Sequence, residues 1–342
     1  MIWTLRVGTL LAGLASLAIA SDAPAQTAAE FYKGRPLTLY IGYAPGGGYD
    51  LYSRLLARHM GKHLPGNPNV IPKNEPGAGS FKLANELYHV MPKDGTVMGM
   101  IGEVLVINQM LGDPTAKFVA GDFKWIGRMA DSDPVLVTSP SSGVKTIEDA
   151  QKKEIAVGAP GAGSSTFLNL TVVKNLFATK FKIISGYDGS ASIKLALERG
   201  EVQGSGSTLW RVDRDWIRAG GYNPVYQASL DAAPDLPGVP TLVSLARNDG
   251  ERRLLRFFSS YTTIGRSILT PPKVPDDRVA FLRTAFDATM KDPAFLADAE
   301  RGKMDLAVLS GDKLEALIRD VASMDDALLA KAKQISGSKA GD

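Results

Sequence analysis

A chain of 342 residues, 44% hydrophobic and 22% charged, can bury one large core or two moderate ones and is too apolar to be disordered by default. Its 39 lysines and arginines barely exceed its 36 aspartates and glutamates, and no segment gathers them into the basic stripe that a phosphate backbone needs, which argues against nucleic acid as a partner. Cysteine is absent, so disulfides, thiolate metal sites and a cysteine nucleophile are excluded and the fold must rest on core burial.

The first 25 residues carry one basic side chain, Arg6, then the apolar run "VGTLLAGLASLAIA", then "APA" before Gln26. This is the layout of a secretory signal peptide cleaved near Ala25. The run falls short of the ~20 residues of a membrane span, which favours cleavage over a retained anchor. No later segment is long and apolar enough to cross a bilayer. Residues 1–25 are therefore read as a signal peptide, and the mature protein as exported and soluble.

Beyond it, apolar strand-like runs alternate with helix-periodic ones. "PLTLYIGYA" precedes a helix over Leu51 to Met60, with Leu51, Leu55 and Leu56 as its buried stripe. "VMGMIG" precedes "VLVINQML", "KEIAVGAP" precedes "STFLNLTVVKNLF", and "FKIISGYDG" precedes "ASIKLALERG". Repeated β-then-α order predicts an α/β fold with largely parallel sheets, whose ligands gather beyond the carboxyl ends of the strands, where helices start. The polar, proline-bearing stretches "ADSDPVLVTSPSSG" and "SLDAAPDLPGVPT" are where the chain is expected to pass between lobes. That division gives lobe one over 26–130, lobe two over 131–229 and a return to lobe one over 230–342. The return carries the helical runs "DDRVAFLRTAFDATMKD" and "GDKLEALIRDVASMDDALLAKAKQI", expected to pack on a sheet.

Two strand-to-helix junctions are unusually bare: "APGGGYD" at 44–50 and "GAPGAGSST" at 158–166. Gly46, Gly47 and Gly48 permit positive φ and lack the Cβ atoms that keep a ligand from the main chain. The free N–H groups of the helix that follows attract an anion. A tight turn uses the same glycines, but a second junction of like character, one in each half, suits a cleft shared by two lobes. Ser164, Ser165 and Thr166 can cap the second helix or donate to a ligand oxygen. Neither junction has the lysine of a phosphate loop or the G-x-G-x-x-G phase of a dinucleotide loop. With no basic residue in either, a small carboxylate held by neutral donors fits best. Asp50, in the first turn of its helix, reads as a cap or dipole partner, with a second role open to it as an acceptor for a ligand group.

Catalytic motifs are missing. His59 and His63 have the i, i+4 spacing of a metal pair but lack the glutamate of H-E-x-x-H, and "GKHLPGNP" ends their helix, so they read as exposed helix-end side chains. No G-x-S-x-G elbow appears, and nothing marks a base for the serines of "SSTF". No metal, cofactor or enzymatic activity is expected.

Several motifs stand in order along the chain: "RPLTLYIGYAPGGGYDLYSRLLA", "VIPKNEPGAGSFKLANELYHVMPKDGTVMGM", "GAPGAGSST", "ISGYDGS", "RGEVQGSGST" and "LPGVPTL". The set resembles the Bug-type extracytoplasmic solute receptors of tripartite tricarboxylate transporters over nearly all of the mature chain. The resemblance implies a type II periplasmic-binding-protein fold: two α/β lobes, a hinge, and an interlobe cleft for a small organic carboxylate that is passed to membrane transporter subunits. It implies ligand contacts at Tyr43, Pro45, Gly46, Gly47, Gly48 and Asp50 in lobe one. In lobe two it implies Gly163, Ser164, Ser165 and Thr166, with Tyr187, Asp188 and Gly189 beside them and Ser205 and Ser207 completing the wall. Many relatives have Y-x-G-G where this chain has Tyr187 to Ser190, and an acidic residue where it has Gln203 then Gly204, so the distal half of the pocket is expected to differ. Tyr43, Tyr49 and Trp210 are candidates to line that half. A monomer is expected. An exported enzyme for a small acid and a ligand-sensing subunit of a signalling system are the rival classes.

Overall fold

The computed structural model describes residues 27–322 and 324–337; the expected signal peptide lies outside them. In chain order the strands are β1 (Leu37–Ile41), β2 (Val70–Asn74), β3 (Val97–Met100), β4 (Lys124–Arg128), β5 (Pro134–Thr138), β6 (Ile155–Gly158), β7 (Phe181–Ile184), β8 (Gly204–Leu209), β9 (Asn223–Gln227), β10 (Ser267–Thr270) and β11 (Leu309–Ser310). They form two sheets, ordered β11-β4-β10-β3-β1-β2 and β7-β6-β8-β5-β9. Each sheet is the centre of one lobe. The helices are α1 (Ala28–Tyr32), α2 (Gly48–Met60), α3 (Phe81–His89), α4 (Leu105–Met110), α5 (Ile147–Lys152), α6 (Ser165–Phe177), α7 (Ser190–Glu198), α8 (Trp210–Ala219), α9 (Asp249–Ser259), α10 (Asp276–Thr289), α11 (Pro293–Arg301), α12 (Gly311–Ala322) and α13 (Asp326–Ser336).

Strand β1 shows how the alternation builds a lobe. Leu37, Leu39 and Ile41 are fully buried on one face, and the strand pairs in parallel with both β2 and β3. Helix α2 then folds back over that face through Tyr52, Leu55, Leu56 and Met60. Leu51, expected in this stripe, is 38% exposed; Tyr52, one residue on, holds the i, i+3, i+4 register with Leu55 and Leu56. Helices α10 and α11 complete this layer, while α3 and α12 cover the opposite face of the same sheet.

The sheets are mixed rather than largely parallel: four pairings are parallel and five antiparallel among the described residues. The two interlobe crossovers explain four of the five antiparallel pairings, the fifth being β11 on β4. Residues 129–133 carry the chain from β4 to β5, and residues 228–266 carry it from β9 to β10. A strand reached from the other lobe enters from the far end of its sheet rather than by a β-α-β crossover within its own lobe, so β5 and β10 run antiparallel to both neighbours.

The stretch 230–342, expected to return to lobe one, divides between the lobes. Helix α9 and Tyr261 bury against Leu136, Ile155 and Leu170 of the second sheet and its helices, and only from β10 does the chain rejoin the first. The last helical run is broken into α12 and α13, with Asp325 capping α13 by accepting from Leu328 N at 2.8 Å. Helix α12 lies on β4 as expected, but α13 packs on α6 and α9 of the second lobe, where Ala332 is fully buried. The tail thus ties the lobes together.

Candidate ligand-binding site

Three helices begin at one cavity between the lobes. α2 starts behind Gly47, α6 behind Ser164 and α7 behind Gly189, each directly after the carboxyl end of a strand. Gly47, Gly48, Ser164, Ser165, Thr166, Gly189 and Ser190 all line this cavity, which measures about 50 Å³, room for a few water molecules. The opening N–H groups of a helix have no partner within it, so three sets of donors and three positive dipole ends meet in one small space. Direct interlobe contacts frame it. Ala44 N donates to Asp188 O at 3.2 Å, and Asn108 Nδ2 donates to Gly163 O at 2.9 Å.

The lobe-one wall is aromatic and charged. Tyr43 and Tyr49 stack at 4.4 Å with 22° between their planes, and the Arg266 guanidinium lies over Tyr49 at 3.9 Å. Arg266 Nη1 donates to Glu103 Oε2 at 2.7 Å, and the Ser132 hydroxyl donates to the same oxygen. Both charged residues are nearly inaccessible, Arg266 at 3% and Glu103 at 4%. Burial pushes the Glu103 carboxyl up, against the pull of Arg266 and the Ser132 hydrogen bond. Burial works against the charge on Arg266, but Glu103 together with Tyr49, Tyr52 and Tyr43 outweighs it and the guanidinium stays cationic. Burial also raises both tyrosines, which remain neutral donors.

Of the residues proposed from the sequence, Tyr43, Gly47, Gly48, Ser164, Ser165, Thr166, Gly189 and Ser207 line the cavity. Pro45, Gly46, Asp50, Gly163, Tyr187, Asp188 and Ser205 are not among its lining residues. Asp50 is saturated by its own loop: Oδ2 accepts from Gly46 N at 3.0 Å, while Oδ1 accepts from Arg54 Nε and Asn74 Nδ2, each at 2.8 Å. It braces the turn that Gly46 makes at φ +88°. Gly163 faces Phe81 and Ala78, Tyr187 packs with the Val135 and Trp210 cluster, and Asp188 meets lobe one through its carbonyl. Ser205 is fully buried within β8, accepting from Ser207 N at 3.4 Å. Trp210 turns away and donates to Asp235 at 2.7 Å. Ser164 Oγ caps α6 by accepting from Phe167 N at 3.2 Å, and the Thr166 hydroxyl bonds Ser207 at 2.7 Å, which leaves the Ser165 hydroxyl without a protein partner.

The sequence reading missed Glu103 and Arg266. Each is a lone charge inside an apolar run, "MIGEVLV" and "TIGRSIL". That pattern is itself a signal, because a charge carried into a core needs a partner.

Two larger hollows lie elsewhere. A 640 Å³ groove beside Tyr88, His89 and Lys93 is open surface of lobe one, and a 460 Å³ hollow beside Asp131, Asp133 and Arg211 flanks the crossovers. Neither receives a helix N-terminus from each lobe. His59 and His63, expected exposed, are half-buried and tied to separate carboxylates, Asp298 at 3.0 Å and Asp292 at 2.7 Å, so they pin the end of α2 to α11. No group of three or more histidines, aspartates and glutamates suited to a metal stands among the described residues. No helix among them is long and apolar enough to cross a membrane.

Two α/β lobes, two crossovers and a cavity fed by helix starts from both sides define a two-lobed periplasmic-binding-protein fold. The chain matches the model of the family described as "Tripartite tricarboxylate transporter family receptor" over residues 52–333, and it belongs to that family. A UPF0065 protein of Bordetella pertussis is 27% identical over 295 residues, covering 84% of each chain. Among solved structures, the periplasmic binding protein BugD superimposes with a TM-score of 0.70 at 19% identity, covering 90% of this chain and 99% of its own. An R. palustris protein solved with adipate gives a TM-score of 0.67 at 18% identity, covering 89% and 97%.

Proposed function

We propose that this chain is a periplasmic solute receptor that captures a small organic carboxylate between its lobes and presents it to the membrane subunits of a tripartite tricarboxylate-type transporter. The observation that carries the reading is the convergence of three helix N-termini from two lobes on one cavity. A carboxylate placed there meets main-chain donors, the Ser165 hydroxyl and three favourable dipole ends at once. Because the donors belong to both lobes, ligand binding favours the closed arrangement over the open one by the contacts that only closure completes. A cavity of about 50 Å³ takes a carboxylate head and little more, so a longer acid is held by lobes set further apart.

No covalent step is part of this reading. The carboxylate bound to an R. palustris relative of the same fold supports the ligand class, and the family description supports the transporter as recipient. The test is native mass spectrometry of whatever copurifies from the periplasm, followed by thermal-shift measurements with acetate, succinate, malate and adipate. A ligand specific to the folded state raises Tm with concentration and is recovered chemically unchanged after prolonged incubation. Loss of the reading follows if no carboxylate copurifies and none raises Tm, or if the added acid is converted.

A further inference from the structure

We infer that Arg266 selects the ligand, taking one carboxylate side-on through its Nε–H and Nη2–H edge at the start of α2. This rests on the carboxylate-receptor reading above and adds a charged anchor to a site otherwise built from neutral donors.

The guanidinium has five donors in a fixed fork. Nη1 is committed to Glu103 at 2.7 Å, and the face of the group is stacked on Tyr49 at 3.9 Å. Arg266 Nε, in a side chain that is nine-tenths buried, has no hydrogen-bond partner. That free edge faces the part of the cavity wall made by Gly48 and the end of the Leu209 side chain. A Cβ built on Gly48 would lie 3.6 Å from Nε and 3.7 Å from Nη2, and 2.9 Å from Leu209 Cδ1, a flexible side-chain end that a ligand must push aside. The two nitrogens nearly equidistant from this position are the pair that matches both oxygens of a carboxylate once Leu209 swings aside. Gly48 is also the first residue of α2, so a carboxylate seated there meets the guanidinium fork and the helix N-terminus together.

A purely structural ion pair does not explain this arrangement. Leaving a donor of a buried cation unpaired is costly, and an apolar pair of similar volume would serve packing better. Glu103 is the positioning residue. Its Oε2 already takes two donors, from Arg266 and Ser132, and it aims the guanidinium by holding the opposite end of the fork. Tyr49 fixes the plane from beneath, with its own hydroxyl accepting from Glu103 N at 3.2 Å. The Arg266–Glu103 pair is neutral as a unit, so an incoming carboxylate is drawn by the helix ends without having to displace Glu103.

The test measures affinities of wild type, Arg266→Lys, Arg266→Gln and the double variant Glu103→Gln, Arg266→Gln by calorimetry. The probes are acetate, succinate, malate and adipate, together with the diamides of succinate and adipate. In wild type the dicarboxylates should bind at least ~30-fold more tightly than their diamides, and in Arg266→Gln both the affinity and this ratio should collapse. Arg266→Lys should recover only part of it, because an ammonium cannot reproduce the fork. The double variant leaves no unpaired buried charge, so it should fold like wild type and still lose the preference. A merely structural arginine would weaken all probes alike. A ratio unchanged in either glutamine variant overturns the proposal while the receptor reading stands, whereas equal binding of acid and diamide by wild type overturns both. Wild type that binds none of the acids overturns both.

Discussion

Substituting Gly161 with alanine adds one methyl group where the main chains of the two lobes touch. The pentapeptide Pro-Gly-Ala-Gly-Ser occurs twice, at 76–80 in lobe one and 160–164 in lobe two, and the two copies face each other main chain to main chain. A Cβ on Gly161 would lie 2.6 Å from Gly79 N, 2.8 Å from Ala78 C and 2.9 Å from Ala78 Cα. Those are backbone atoms and cannot rotate away. Ordinary contact is about 3.5–4.0 Å, so the lobes must part by about 1 Å at this point. Gly161 is outside the left-handed region, so alanine adds no local backbone strain and each lobe's own core is untouched. Overpacking of this kind costs roughly 1–3 kcal/mol, and here it falls on the docked arrangement alone. A closed state penalised by that amount lowers apparent affinity by about 5- to 150-fold. Calorimetry with the best-binding acid measures this, with X-ray scattering to follow lobe separation. Gly121→Ala, at a glycine with no atom within 4 Å of its added Cβ, is the control. Affinity within twofold of wild type and an unchanged radius of gyration would refute the claim that ligand is held by lobes docked through these bare loops.

Ser165→Ala should weaken binding severalfold with little change in Tm, since its hydroxyl has no protein partner, whereas Ser164→Ala should lower stability by about 1 kcal/mol through loss of the α6 cap. Calorimetry and thermal unfolding separate the two effects, and the opposite pattern would reverse the roles given to these serines. Asp133, in the first crossover, has its carboxyl pushed up to about 6 by burial, with Arg211 opposing. An acid whose folded-state value is raised stabilises the fold fully only while protonated in both states. Stability therefore falls as pH rises from about 4 to about 6, by about 3 kcal/mol in all. Asp133→Asn removes that decline, so its Tm should exceed wild type at pH 7.5 and match it near pH 4. A variant less stable at pH 7.5 would show that the hydrogen bonds from Arg211 outweigh the burial of charge.

The β-then-α order was legible because both signals are local. An apolar run ending in glycine and followed by 3.6-residue periodicity marks a strand and its helix, as in β1 to α2 and β6 to α6. The direction in which β5 and β10 enter their sheets was not legible, because it depends on which lobe the chain has just left. The final periodic run hid its break for a related reason. Apolar periodicity continues on both sides of Asp325, and that residue's capping of Leu328 N starts α13 afresh. Periodicity also says that α13 buries a face without saying against what, and the face fits α6 and α9 of the second lobe.

The site divides along the same line. Bare backbone is visible in a sequence, since glycines before a helix leave few reasons for their presence, and Gly47, Gly48 and Gly189 do line the cavity. Which side chain turns into the bared space is not visible, because it is decided by partners far away in the chain. Asp50 stood in the right loop and is consumed by Gly46, Arg54 and Asn74, while Arg266 stood outside every loop considered and reaches the cavity with one edge free. Glu103 and Arg266 are 163 residues apart, and neither carries a motif. What the sequence offered was two unlike charges, each stranded in an apolar run. Since a buried charge left single costs several kcal/mol, two such residues of opposite sign are best read as one pair. A pair that then leaves a donor unused beside a cavity points to a third, external partner for the arginine.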